Sequence, residues 1–208
     1  GLRSGLLSGF GAWIEDDMDN DGRFVAYGVV EKVSAGMAYI WTKYGEAVIP
    51  SKLVSKVGIS VYEINEINQI LRFWKPDIIQ IPLNIFDQRF LQKDLLKKLK
   101  KQNIEIHVRS CFLKGLLLQS KLGIGNLKSK NLFKKFILWC NSKNITQLTA
   151  CLHFIKKIKY IDGVIVGFDT AKQLREIIHS FRKKLVLVPD DFANNEKKII
   201  DPRKWKIN

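Results

Sequence analysis

No uninterrupted apolar run in this sequence approaches the roughly 20 residues that a membrane-crossing helix requires, and the opening GLRSGLLSGFGAW is too short and too poorly flanked for a signal peptide. No membrane partner is therefore expected. Cysteine is scarce: Cys111, Cys140 and Cys151 lie far apart, with no C-x-x-C spacing and no His at metal-ligand intervals. This speaks against a disulfide scaffold and a zinc site, and points to reduced, structural thiols in a cytoplasmic protein. Acidic residues are outnumbered, 20 Asp and Glu against 35 Lys and Arg, for a formal charge of +15. Such a charge is compatible with a nucleic-acid surface, an anionic membrane or an anionic small ligand. The lysines, however, are scattered on helical faces, as in LLKKLKKQN and FIKKIKY, while Trp74, Trp139 and Phe181 fall on apolar stripes. Basic and aromatic residues are not interleaved on one face, so no nucleic-acid partner is expected. The first residue is Gly rather than Met, which reads as a fragment or a processed product.

What is present is ample apolar material. The chain of 208 residues is 46% hydrophobic and 11% aromatic, enough for one sizeable core and one domain or two. From residue 56 onward short apolar runs alternate with longer amphipathic segments, the pattern of a parallel sheet covered by helices. Strands are expected at 56–62, 77–83, 104–110 and 162–168. Helices are expected at 63–74, where Pro76 stops the run, and at 89–103, 130–142, 146–158 and 170–184, the last opening on Thr170 as N-cap. On the last helix Leu174, Ile177, Ile178 and Phe181 are expected to be buried. Four βα units amount to half of an eight-stranded barrel or to most of a small doubly wound sheet. Residues 1–55 do not share the rhythm and stay unassigned. Within the second strand Gln80 stands between Ile79 and Ile81, and a buried amide without partners costs about 1–3 kcal/mol. Either the fold satisfies Gln80 or a ligand does.

The order and spacing of GISVYEINEINQILRFWKPDIIQIPLNIFDQRF, IEIHVRSCFLKGLLL and IDGVIVGFDTAKQLREI, with DPRKW near the end, resemble the second half of the aldo-keto reductases. The resemblance covers residues 56–206. It implies an α/β fold, a partial (β/α)8 TIM barrel of strands five to eight with their helices, at 56–208. It also implies descent from an oxidoreductase that moves hydride between NADP(H) or NAD(H) and a carbonyl. In that family a Ser and a Gln on strands five and six hydrogen-bond the nicotinamide carboxamide, and these positions fall on Ser60 and Gln80. An amide suits a group that is itself both donor and acceptor. The Asn that the family carries after that Ser is Val61 here. Arg109 matches the flat side chain against the nicotinamide ring, where a guanidinium can stack or meet a phosphate. Ser110, Leu113 and Gly115 match the pyrophosphate loop, in which backbone amides and a small residue allow close approach. Gly167 and Thr170 lead into a helix N-terminus suited to an anion, while Gln173 and Glu176 match positions near the adenosine. Lys172 and Arg175 either add charge for a 2′-phosphate or are solvated helix residues.

The family's acid–base chemistry uses an Asp, a Tyr, a Lys and a His from the first half of the barrel, and a positioned, tuned acid of this kind supplies much of the rate. His107, His153 and His179 all lie inside the second-half match. Lys43 and Tyr44 stand adjacent, whereas the family carries its Lys and Tyr on different strands. No catalytic residue is therefore assigned, and the expectation is a truncated chain lacking the tetrad. Such a chain acts either through its cofactor half or as a non-catalytic half-barrel that binds nucleotide or pairs with another chain, a homo-oligomer or a complementing half. In DDMDNDG, Asp17, Asp19, Asp21 and Gly22 fit the start of a calcium loop, but Gly28 stands where the bidentate Glu belongs, which favours an acidic turn and no metal. The sequence does not name the carbonyl substrate.

Overall fold

The structure is a computed structural model that describes residues 29–34, 37–42, 45–50, 56–92 and 94–205. The chain divides into two compact units, Gly1–Gln80 and Ile81–Asn208, with the boundary inside one strand.

In the first unit, β1 (Val29–Ser34), β2 (Met37–Thr42) and β3 (Gly45–Pro50) form an antiparallel meander in the order β1-β2-β3. The β2–β3 register runs from Met37 opposite Pro50 to Thr42 opposite Gly45, so only two residues connect these strands, the shortest common hairpin link. The meander occupies part of the stretch left unassigned from the sequence. The next strand, β4 (Gly58–Ser60), pairs in parallel with the start of β5 (Ile78–Pro82), with Gly58 opposite Ile78 and Ser60 opposite Gln80. A Cβ at Gly58 would lie 2.6 Å from the Ile78 carbonyl oxygen, so a side chain there would force the strands apart. Between them α1 (Ile64–Ile70) opens on a capping box, the Glu66 carboxylate accepting from the Glu63 N–H at 3.0 Å. The helix stops four residues short of the expected 74. The Phe73 and Trp74 N–H groups turn back to the Ile70 carbonyl, and both rings are exposed, so Trp74 leaves the buried stripe expected for it.

In the second unit, strand and helix continue to alternate. After the end of β5 come α2 (Leu95–Lys101), β6 (Glu105–Arg109), α3 (Leu127–Ser142), α4 (Gln147–Lys156), β7 (Gly163–Val164), α5 (Ala171–Arg182) and the short α6 (Lys197–Ile200). β6 and β7 pair in parallel, His107 opposite Gly163. This is the α/β rhythm expected from the sequence, with two corrections. The helix expected over 89–103 begins only at Leu95, because Arg89–Leu91 form a 3-10 turn and Asp94 takes a left-handed φ of 55°. The strand expected over 162–168 is regular only at Gly163–Val164.

The core of this unit holds Ile81, Ile106 and Val108 from the strands and a chain of rings from the helices and loops. Phe86 meets Phe133 edge-on at 6.0 Å, and Phe136 meets Phe192 at 5.6 Å. α4 is the most enclosed helix, with every residue from Thr149 to Ile155 buried. α5 is seated less deeply: Ile177 is buried and Leu174 half-buried, but Ile178 and Phe181, expected inside, are exposed.

Candidate functional site

Period-two geometry puts Ser60 and Gln80 on one face of adjacent strands, since they are direct register partners of β4 and β5. The Ser60 hydroxyl donates to Gln80 Oε1 at 2.9 Å. Both flanks of Gln80, Ile79 and Ile81, are fully buried on the other face, while Gln80 itself is half-buried. Among the described residues the Gln80 amide nitrogen donates to no protein group. The fold therefore satisfies the acceptor end of the amide and leaves its two N–H donors to solvent or to a carbonyl-bearing ligand. Val61 is fully buried and its backbone N–H donates to the Gln80 carbonyl at 3.0 Å, so this position braces the strand and offers no polar side chain.

In the second unit Arg109 closes β6 and donates from Nη1 to the Ser110 hydroxyl at 3.3 Å. The chain then enters a run of left-handed backbone, with φ of 61° at Ser110, 50° at Leu113 and at Lys114, and 79° at Gly115. Only Gly115 adopts this region without steric cost, and three non-glycine residues held there store strain of about 1–3 kcal/mol each. Leu113 is fully buried and its N–H donates to the Ser110 carbonyl at 2.9 Å, so it anchors the loop from within.

Asn84, which the sequence reading passed over, organises the adjoining turn. It is nearly fully buried, accepts from the Phe86 and Asp87 N–H groups at 2.9 Å each, and donates to the Ser110 carbonyl at 3.1 Å. One side chain thus fixes the turn leaving β5 and the strained turn leaving β6 to each other. The signal was available: an Asn at a strand end before a turn is the ordinary side-chain acceptor of an Asx turn.

At α5 the geometry is that of a capping box. The Thr170 hydroxyl accepts from the Gln173 N–H at 3.2 Å, and Gln173 Oε1 accepts from the Thr170 and Asp169 N–H groups at 3.2 and 2.7 Å. Thr170 and Gln173 therefore hold the helix start, and the dipole end of α5 faces solvent next to the exposed Gly167. Lys172, Arg175 and Glu176 are exposed on the same helix. Thr170→Ala is expected to cost about 1 kcal/mol, read as a lowered urea midpoint, while Thr170→Ser keeps the cap and the midpoint.

The three thiols are free and buried. Burial pushes the Cys111 and Cys140 thiols up to about 12 and raises Cys151 well above its ordinary value, so all three are protonated and unreactive at neutral pH. Among the described residues no group of three His, Cys, Asp or Glu could hold a metal ion, and no helix is long and apolar enough to cross a membrane. Lys43, Tyr44 and the acidic DDMDNDG stretch lie outside the described residues. A cavity of about 410 Å³ opens between α4, β7 and α5, lined by Ile155, Val164, Ile177 and Phe181, and it includes none of the candidate cofactor residues.

A family model described as Aldo/keto reductase family matches residues 50–200. Among solved structures, the holo form of an aldo-keto reductase from Bacillus halodurans matches with a TM-score of 0.53 and 17% identity, over 62% of this chain and 45% of that one. Its apo form matches with a TM-score of 0.53 and 14% identity, over 69% of this chain and 53% of that one. At these identities the likeness is one of fold, that of part of a TIM barrel. The chain spans about half the length of those proteins. No curated protein matches it.

Proposed function

The chain belongs to the aldo/keto reductase family, and from that premise we propose that it binds a nicotinamide cofactor, NADP(H) or NAD(H), as the cofactor-binding portion of a carbonyl or alcohol oxidoreductase. The observation that carries this reading is the Ser60–Gln80 pair. The hydroxyl orients the amide, and the remaining amide donors suit the carbonyl oxygen of a nicotinamide carboxamide. When bound, the cofactor would supply the hydride. Gln80 and Ser60 would fix the carboxamide, and Arg109 would lie against the ring. Ser110 and Gly115 would offer backbone N–H groups to the pyrophosphate, while Leu113, whose own N–H is bonded to the Ser110 carbonyl, would shape the loop beneath it. Gly167 and Thr170, with Gln173 and Glu176, would border the adenosine end, where Lys172 and Arg175 add charge suited to a 2′-phosphate. No residue is assigned as proton donor, so the chain alone is proposed to bind cofactor without turning over a carbonyl. The buried, protonated thiols fit a reducing, cytoplasmic setting.

A second reading, a non-catalytic half-barrel that pairs with another chain, is favoured by two features. Val61 replaces a polar family position with a buried apolar one, and Thr170 and Gln173 are already engaged in capping α5. Titration with NADPH and with NADH, followed by tryptophan quenching and thermal protection, separates the two. Saturable binding weakened about tenfold or more in Gln80→Ala, the loss of roughly one well-placed hydrogen bond, is the expected result. Absence of binding by a folded chain would leave the second reading.

A further inference from the structure

The end of α4 and its C-cap carry three basic or titratable side chains within little more than one turn, His153, Lys156 and Lys157, and all three reach across to the same stretch of chain. The His153 ring has no exposed surface. Its Nε2 lies 3.0 Å from the Ser180 carbonyl on α5, and its Nδ1 lies 3.0 Å from the Val186 nitrogen. A backbone N–H can only donate, so Nδ1 is the acceptor and carries no proton, and Nε2–H is the donor to Ser180. Both ring positions are committed, and the geometry admits one protonation state, the neutral Nε2–H tautomer.

The segment that His153 holds has little else of its own. After α5 ends at Arg182, residues 183–190 run without regular structure, with Val188 buried and Leu185 and Leu187 exposed. Most of its attachments come from the end of α4 and its C-cap: Lys156 donates to the Phe181 carbonyl at 2.7 Å and the Lys183 carbonyl at 3.2 Å, and Lys157 donates to the Val188 carbonyl and to Asp190 at 2.5 Å, while Gln88 adds one bond to the Asp190 carbonyl at 3.0 Å. A second proton on His153 would set Nδ1–H against the Val186 N–H, two donors face to face inside a closed space. The groups acting on the ring make this worse. Lys156 on α4 and Lys183 beyond α5 are both cationic, Asp190 on the same segment is engaged by Lys157, and His179 and Arg182 on α5 are exposed.

We propose that His153 is a proton-operated clasp, holding residues 183–190 and the end of α5 on α4 while neutral and releasing them when protonated. Burial lowers the His153 pKa from its ordinary 6.5, the hydrogen bond to Ser180 opposing and the two lysines adding to the shift. The direction of the effect follows. The opened state binds the proton at the ordinary value and the closed state only at lower pH. The clasp is therefore fully effective above 6.5 and loses its hold as pH falls below it.

Amide exchange and ring NMR of the full chain between pH 7.5 and 5 test this, with no dependence on cofactor binding. The Val186 amide should lose protection by up to about tenfold per pH unit below 6.5, while Phe136 in α3 keeps its own. The His153 ring should titrate below 6.5 as the Nε2–H tautomer. In His153→Gln, which has no proton to gain, Val186 protection should not change with pH. If that variant does not fold, the wild-type amide and ring measurements decide. Val186 protection that stays constant down to pH 5, or a His153 ring that titrates at 6.5 or higher, overturns the clasp.

Discussion

Asp87→Ala should lower the stability of the second unit by about 3–5 kcal/mol, the usual consequence of removing one partner from a buried ion pair. At a urea slope near 2 kcal/mol/M this is a midpoint shift of roughly 1.5–2.5 M. Asp87 has no exposed surface, and its two oxygens receive the Arg89 guanidinium in a fork, Nε at 2.8 Å and Nη2 at 2.9 Å. The arrangement is local, spanning two residues, yet it sits where Asn84 has just turned the chain out of β5. Nearby, Asp201 repeats the device with Arg203, at 2.9 and 2.8 Å. Burial pushes the Asp201 carboxyl up, but the bonds from Arg203 and the field of Arg89 outweigh it and hold the group below its ordinary value. Arg89 thus acts on two carboxylates, and removing Asp87 takes away the one that its guanidinium grips at two nitrogens. Asp87→Asn, which preserves shape and one acceptor, should cost clearly less than Asp87→Ala. Equal effects, or a shift below about 1 kcal/mol, would mean that the fork is solvated and adds little.

The strand and helix rhythm was legible because it depends on apolar spacing alone. β5 and β6 fall within one residue of their expected bounds, and α3, α4 and α5 within three. What misled were places where a side-chain bond overrides periodicity. Phe90 and Leu91 continue an apolar stripe, but the Asp87–Arg89 fork and the left-handed Asp94 delay the helix until Leu95. Ile178 and Phe181 have helical spacing for burial, yet no strand wider than two residues lies beneath α5, and they stay exposed. The meander β1–β3 was missed because VVEKVS, MAYIWT and GEAVIP lack the clean apolar–polar alternation that marks a half-buried sheet. In the candidate site, the family resemblance named Ser60 and Gln80 as positions facing one carboxamide, while the hydrogen bond between the two was not anticipated. The Asx turn at Asn84 could be anticipated from its place at a strand end, but its bond to the Ser110 carbonyl, 26 residues away in sequence, could not. The capping duty of Gln173 was written in the spacing Thr170-x-x-Gln173, though the resemblance drew the reading toward adenosine.

Phe136→Ala should cost about 3–5 kcal/mol through the cavity it leaves in the same unit. The ring is fully buried in α3 and stands between Phe133 at 6.3 Å and Phe192 at 5.6 Å. Phe192 belongs to the irregular chain after α5, where Trp139 also meets it, at 5.9 Å, and Lys135 lies over its ring. Losing Phe136 therefore removes not only a transfer term but one of the contacts by which α3 holds that chain, beside the Lys135–Asp191 and Asn194–Ser129 bonds. A local readout follows: Asn194, whose N–H donates to the Phe86 carbonyl at 2.8 Å, should lose amide protection in Phe136→Ala well before β6 does. Because Phe86 touches Phe133 and also follows Asn84 in the turn that Asp87 completes, the double variant Asp87→Ala/Phe136→Ala should fall short of the sum of its parts by more than 0.5 kcal/mol, the threshold for coupled neighbours. Strict additivity would place the ion-pair turn and the aromatic chain in separate cooperative regions, and the core described here would then be two.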